Sequence, residues 1–191
     1  MTIIHANDPT TQFLSLLYET RDDVTCRITE SSTNAHVLRA IREDNVIMML
    51  GHGNEYGLLS KPNRNGKYER FLITDRHVEF LRGKTCIGIW CHADKFAKRY
   101  GLTGLFTGMI ISELQEAVDH NITTTKEEID RENAKFASRL RYCIDNYGLK
   151  DIPARMQALD DVKSQLTRFN YGKVYSFGRK STESTTSSSE A

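Results

Sequence analysis

Short apolar runs alternate along this chain with longer stretches in which apolar residues recur at helical spacing. Runs of this length, bounded by turn-forming residues, are typical of strands buried in a sheet. The pattern predicts strands over residues 2–6, 24–29, 46–53, 85–92, 105–111 and 173–177. Between the third and fourth strands, residues 54–70 contain glycine, proline and asparagine among polar residues, which predicts a loop or a hairpin.

Capping residues and periodic apolar positions predict helices between these strands. Asp8 followed by Pro9 marks the start of one helix, and either Thr33 or Asn34 can cap a second. The spacing of Thr125 and Glu128 is that of a capping box and opens the longest helix, for which Gly148 is a natural stop. Further helices are expected at residues 74–81, 94–100 and 151–168, the last with these residues facing inward: Met156, Leu159, Val162 and Leu166.

Strands that alternate with helices of this length predict a three-layer α/β/α sandwich around a mostly parallel sheet of about six strands. The chain has 191 residues, enough for one good core, and it contains no internal repeat. We therefore expect one domain over residues 1–178. Residues 179–191 are rich in Ser and Thr without a large apolar side chain, which predicts a disordered tail.

Composition narrows the classes of partner. Lys and Arg number 26 against 25 Asp and Glu, a net charge of +1, which weighs against nucleic acid or an anionic membrane as the main partner. No apolar stretch approaches the ~20 residues of a membrane helix, and the N-terminus has no signal-peptide pattern, so a cytoplasmic location is expected. The four cysteines lack CxxC spacing, which predicts free thiols rather than a zinc site or a disulfide framework, and no cofactor is expected.

Two of the predicted strands end on side chains that can do chemistry. The run that begins at Val46 ends at His52, and the run that begins at Thr85 ends at Cys91. In open α/β sheets the carboxyl ends of the strands gather ligands and catalytic groups. A thiol nucleophile with a histidine to manage protons is one arrangement of a cysteine hydrolase. The backbone N–H groups of Gly53 and Cys91 are the candidate oxyanion donors.

This pattern resembles the caspase-like cysteine peptidases, which include caspases, metacaspases, gingipains, clostripain, separase and the CHAT domains. The shared feature is an apolar strand ending in His-Gly, followed by an apolar strand ending in Cys. The resemblance covers about residues 1–178 and implies a catalytic dyad of His52 and Cys91, with Gly53 as an oxyanion donor. At the position before the nucleophile, where a small residue is frequent in these families, this chain has Trp90.

The resemblance also implies where the substrate side chain would bind. The pocket should be built by the strand leading to the nucleophile and by the segment after the fifth strand, whose candidate residues are Ile89, Trp90, Ser112, Glu113 and Glu116. The two glutamates could favour a basic substrate side chain, or they could simply be carboxylates at the start of a helix. The substrate preference stays open at this point.

Three functions compete. The first is an endopeptidase that cleaves a partner protein, regulated by a further protein or by expression, since the loop after Cys91 is too short for activation by internal cleavage. The second is a catalytically silent pseudoprotease that binds proteins. The third is an unrelated ligand-binding domain, which the absence of a Gly-rich phosphate loop around His52 disfavours. The sequence leaves the oligomeric state open.

Overall fold

A computed structural model describes residues 1–6 and 8–178 and contains a six-stranded sheet. Five of its strands are parallel, and the strand at one edge is antiparallel. In spatial order the strands are β2 (Cys26–Ile28), β1 (Thr2–His5), β3 (Val46–Leu50), β7 (Thr85–Ile89), β8 (Thr103–Thr107) and β9 (Val174–Phe177). The expectation of a mostly parallel sheet of about six strands is confirmed.

Helices cover both faces of this sheet. On one face lie α1 (Asn34–Glu43), α2 (Val78–Leu81) and α3 (Ala93–Tyr100), which pack against a buried cluster that includes Ile4, Met49 and Phe106. On the other face lie a 3-10 helix (Pro9–Leu17), α5 (Lys126–Asn146), α6 (Ile152–Ala158) and α7 (Gln165–Tyr171). Successive strand residues point to opposite faces, so Ile3 and Met48 belong to this second cluster. The predicted three-layer α/β/α sandwich is therefore present.

Three of the predicted helix starts have a side-chain cap, although at Thr125 only one half of the predicted capping box is present, because the Glu128 carboxylate accepts from the Thr124 hydroxyl at 2.9 Å. The Asp8 carboxylate accepts from Thr10 N–H at 3.1 Å, and Thr33, rather than Asn34, caps α1 by accepting from His36 N–H at 3.2 Å. Thr125 accepts from Glu128 N–H at 3.2 Å at the start of α5. Each cap satisfies a backbone donor that has no partner within the helix.

A second, small antiparallel sheet occupies the region that was expected to be a loop or hairpin. Its strands are β4 (Gly53–Asn54), β5 (Gly57–Leu59) and β6 (Phe71–Ile73), and it begins directly after His52. A 3-10 turn (Asp75–His77) then leads into α2. The β4–β5 pairing extends back to His52, whose carbonyl accepts from Leu59 N–H at 2.8 Å.

The prediction of a fifth strand over 105–111 is wrong at both ends. The strand is β8, Thr103–Thr107, and it stops where its antiparallel partner β9 begins, at the pair Thr107 and Val174. Beyond this pair the chain leaves the sheet, passes the cleft described below and enters α4 (Leu114–Asp119). Local apolarity cannot distinguish a strand from a buried extended segment of this kind.

The single helix predicted over 151–168 is also wrong, because the segment forms α6 and α7 with a turn between them. Asp160 accepts from Lys163 N–H at 2.9 Å, and Lys163 has a left-handed backbone with φ of +54°. Ser164 then caps α7 by accepting from Thr167 N–H at 3.2 Å. Val162, expected to face inward, is 41% exposed in this turn.

The predicted disordered tail at residues 179–191 lies outside the described residues. Within residues 1–6 and 8–178, none of the helices combines the length and the apolar composition needed to cross a membrane.

Candidate active site

Strand register brings His52 and Cys91 to the same edge of the sheet. Strands β3 and β7 are neighbours and pair in parallel with Leu50 opposite Ile89, and each candidate follows its paired residue by two positions. The pairing continues to Gly51, whose N–H donates to Ile89 O at 3.1 Å. Gly51 has φ of +140°, a backbone conformation that favours glycine and lets the chain turn out of the sheet just before His52.

A narrow cleft opens at this edge of the sheet, and both candidates line it. Three of the predicted pocket residues, Ile89, Trp90 and Ser112, also line the cleft. The remaining walls come from the first 3-10 helix, from the residue after β3 and from the segment after β8, and they consist of Thr11, Phe13, Leu14, Gly51 and Ile110. The predicted residues that line the cleft thus come from three regions of the chain, whereas Gly53, Glu113 and Glu116 do not line it.

Cys91 lies at a sharp turn between β7 and α3. The residue that follows, His92, has a left-handed backbone with φ of +69°, which is uncommon for a residue with a side chain. The carbonyl of Trp90 accepts from Ala93 N–H at 3.2 Å and from the Thr107 hydroxyl at 3.0 Å, which fixes the turn from both sides. Backbone strain held in place by its surroundings is a feature of functional sites.

The thiol of Cys91 is protonated in this state. Sγ donates to the carbonyl oxygen of Ile110 at 3.6 Å. Burial raises the pKa of Cys91 to about 12, and the nearby carboxylate of Glu116 adds to the effect. Because a thiolate is the nucleophilic form of cysteine, a thiol held in this way is a weak nucleophile.

His52 is held by side chains from two other regions. Its Nε2 lies 2.6 Å from the Thr10 hydroxyl oxygen and 3.8 Å from Asp8 Oδ2. The Thr10 hydroxyl donates to Asp8 Oδ1 at 2.9 Å, and the Tyr68 hydroxyl donates to Asp8 Oδ2 at 3.3 Å. The Tyr68 ring lies against the imidazole, with ring centres 5.6 Å apart. Thus Asp8, which is 4% exposed, is the centre of a network that surrounds the histidine.

Gly53 follows His52 and sits directly against Trp90. A Cβ atom at residue 53 would lie 2.1 Å from Trp90 Cδ1, so only glycine fits without a shift. Trp90 is 2% exposed, and its indole N–H donates to Asn54 O at 3.1 Å. The tryptophan is therefore both a core side chain and a support for the β4 backbone, including the predicted oxyanion donor.

Glu113 and Glu116 lie behind Ser112 at the start of α4. Glu116 Oε2 accepts from Ser112 N–H at 2.7 Å, from the Ser112 hydroxyl at 3.1 Å and from Glu113 N–H at 3.1 Å. Together the two glutamates form a capping box. This geometry matches the simpler of the two interpretations, in which the carboxylates hold a helix start, while both still act electrostatically on Cys91.

Sequence reasoning missed the residues that support the site. Asp8 was recognised only as a helix cap, Thr10 was not singled out, and Tyr68 carried no signal. Ile110 was assigned to a strand. The segment after β8 is anchored at Ile111, as Asn170 accepts from its N–H at 2.9 Å and donates to its carbonyl at 3.2 Å. A polar residue spaced two positions from a capping Asp is the one cue that could have suggested Thr10.

Comparison of the chain with models of protein families gave no match, and none of the curated proteins is detectably similar to it. Nowhere in the described part of the chain do three His, Cys, Asp or Glu side chains cluster in a way that would hold a metal ion.

Proposed function

We propose that this protein is a cysteine endopeptidase in which His52 and Cys91 form the catalytic dyad. The observation that carries this proposal is their placement at the carboxyl ends of the paired strands β3 and β7, lining one cleft. The resemblance to caspase-like peptidases rests on the same two strand ends and supports the same assignment. A peptide bond in a partner protein is the expected substrate.

The residues at the cleft can divide the chemistry between them. Cys91 Sγ would attack the carbonyl carbon of the scissile bond as its proton passes to His52. The N–H groups of Gly53 and Cys91 would stabilise the negative charge on the carbonyl oxygen. His52 would then give a proton to the departing amine, leaving an acyl group on Cys91 that water hydrolyses to the free carboxylate and thiol.

The resting geometry supports regulation by binding. Catalysis requires the Cys91 thiol to leave the Ile110 carbonyl and lose its proton, and burial opposes that loss. A peptide or a regulatory protein that displaces the segment around Ile110 would free the thiol. The connection between Cys91 and β8 is short and offers little chain for activation by internal cleavage. Activation by displacement of the Ile110 segment needs no such cleavage.

The same observation favours a second candidate, a pseudoprotease that binds proteins without cleaving them. A half-buried thiol with a pKa near 12 is a poor nucleophile in the absence of a ligand. Retention of both His52 and Cys91 at the cleft weighs towards the peptidase. The two candidates share the cleft and differ in whether a bound peptide is cleaved.

The expected location is the cytoplasm. All four cysteines are free thiols, which suits a reducing compartment.

A peptide-library digest at neutral pH tests the proposal. Wild-type protein should generate new peptide termini detected by mass spectrometry, and Cys91→Ala should generate none. The matched control is Cys26→Ala, which removes a partly exposed thiol from the edge strand β2. Cleavage that persists in Cys91→Ala would refute the dyad, and a wild type that binds but never cleaves any peptide would favour the pseudoprotease.

A further inference from the structure

Asp8 and Thr10 do more than start the first 3-10 helix. Asp8 caps that helix by accepting from Thr10 N–H, a role that needs only one of its oxygen atoms. Its carboxylate is nonetheless buried, and it also receives the hydroxyl groups of Thr10 and Tyr68. Asp8 thus accepts three hydrogen bonds, and the donors of two of them, the Thr10 hydroxyl and Tyr68, also contact His52.

The direction of the hydrogen bonds follows from the donors available. An ionised carboxylate can only accept, so the single hydroxyl proton of Thr10 is directed at Asp8. The Thr10 oxygen must then accept from His52, across the 2.6 Å contact with Nε2. The chain of bonds therefore runs from His52 Nε2–H through Thr10 to Asp8.

We infer that Asp8, acting through Thr10, is a positioning residue that fixes His52 with its proton on Nε2. Nδ1 is then the ring nitrogen that exchanges a proton with Cys91 or with the substrate amine. A buried carboxylate that orients an imidazole in this way sets the tautomer of the histidine and stabilises the imidazolium form. This inference rests on the proposed function in one respect: the positioned histidine has a catalytic use only if the protein is a peptidase.

Tyr68 is a further residue that contacts both Asp8 and His52. Its hydroxyl donates to the second carboxylate oxygen, Asp8 Oδ2, while its ring covers the imidazole of His52. Tyr68 lies between β5 and β6, in the segment that follows the β4–β5 hairpin. The histidine is thus oriented by residues on both sides of it in the sequence.

The test uses variants that separate helix capping from orientation. Asp8→Asn keeps a good cap, because Asn and Asp are nearly equivalent there, but it removes the charge. Thr10→Val removes the bridging hydroxyl at nearly constant volume, and Thr10→Ser restores it. The matched control is Thr103→Val, which removes a partly buried hydroxyl bonded to Lys84 O at the opposite end of the sheet.

The first readout is the tautomer of His52 from long-range ¹H–¹⁵N NMR correlations, with its signals identified by their loss in His52→Gln. We expect the Nε2–H tautomer in wild type, Thr10→Ser and Thr103→Val, and a mixture in Asp8→Asn and Thr10→Val. A proton on Nδ1 in wild type, or an unchanged tautomer in both Asp8→Asn and Thr10→Val, would overturn the inference.

The second readout is labelling of Cys91 by peptidyl acyloxymethyl ketones. We expect Asp8→Asn and Thr10→Val to slow labelling by about tenfold or more, since a misoriented acid–base group forfeits part of a contribution of roughly 10²–10⁴-fold. Thr10→Ser should restore the rate. Rates equal to wild type in both impaired variants would refute the positioning role. If wild-type Cys91 is not labelled while the tautomer responds as expected, the positioning network stands and the peptidase assignment fails.

Discussion

The Cys91 thiol donates to the carbonyl oxygen of Ile110 at 3.6 Å, across the cleft that would receive a peptide. Ile110 belongs to the segment between β8 and α4. Asn170 anchors this segment by accepting a hydrogen bond from the N–H of the next residue, Ile111. The nucleophile candidate is therefore bonded to one wall of its own site. Access to Cys91 and the position of this wall should change together.

Alkylation of Cys91 by iodoacetamide in the empty site should be slow at neutral pH and accelerate as pH rises. Burial raises the pKa of this thiol to about 12, so the reactive thiolate is scarce below pH 9 and increases towards pH 12. The measurement is the pH dependence of the rate, resolved by mass spectrometry for each cysteine. Labelling of Cys91 at pH 7 faster than that of a denatured control would contradict the resting state described here.

Replacing Asn170 with Ala should loosen the wall that contains Ile110. The substitution leaves the Ile111 N–H without a partner, while the Ile111 carbonyl keeps its hydrogen bond from Asn133, at a cost of about 1–3 kcal/mol in the free energy of unfolding. It should also reduce labelling of Cys91 by peptidyl probes, since the pocket wall would shift. Denaturant unfolding and probe kinetics measure the two effects. Unaltered stability together with unaltered labelling would exclude the anchoring role.

Gly53→Ala should destabilise the protein and impair the site. The new Cβ would lie 2.1 Å from Trp90 Cδ1, so the hairpin or the tryptophan must move, at a cost of about 1–3 kcal/mol. The matched control is Gly148→Ala, where the added atom meets only Asp151 at 3.6 Å. The melting temperature of each variant gives the comparison, and equal values for the two would show that β4 adapts without cost.

The sequence predicted the layers of this fold because they depend on regular patterns. Buried parallel strands appear as uninterrupted apolar runs, and each expected strand has a counterpart in the main sheet. The placement of His52 and Cys91 at one edge follows directly from parallel pairing, with Leu50 opposite Ile89. Patterns of this kind are local, whereas the contacts that complete the site are not.

Specific side-chain and cross-strand contacts, several of them distant in sequence, account for what was missed. The strand expected to reach residue 111 ends at Thr107 because its partner β9 begins at Val174, far along the chain. The break between α6 and α7 depends on side-chain bonds made by Asp160, which periodicity does not reveal. Tyr68 reaches Asp8 across 60 positions of sequence, in a segment whose composition predicted only turns.

Acid should destabilise the fold partly through His5. This residue is 5% exposed beneath the site, bonded to the Tyr18 and Thr11 hydroxyl groups, and burial lowers its pKa from 6.5 to about 4. The unfolded chain takes up a proton near pH 6.5 and the folded chain only near pH 4. The stabilisation is therefore complete above pH 6.5 and lost as pH falls to 4, by about 3 kcal/mol.

His5→Gln removes the titrating group but can keep its hydrogen bonds, so its stability should fall less steeply over this window. His120→Gln, at an exposed position, is the control. Chemical unfolding at a series of pH values gives the slopes. Identical slopes in wild type and His5→Gln would assign the acid sensitivity to other groups.

We propose that His52 activates Cys91 towards a peptide carbonyl. The most direct test treats the purified protein at neutral pH with peptidyl acyloxymethyl ketones bearing basic, acidic or apolar residues next to the reactive group. If this proposal is right, at least one probe modifies Cys91 alone, His52→Ala abolishes this modification, and Cys26, Cys86 and Cys143 stay unmodified. Equal modification of Cys91 in wild type and His52→Ala, or no modification of Cys91 by any probe, would contradict it.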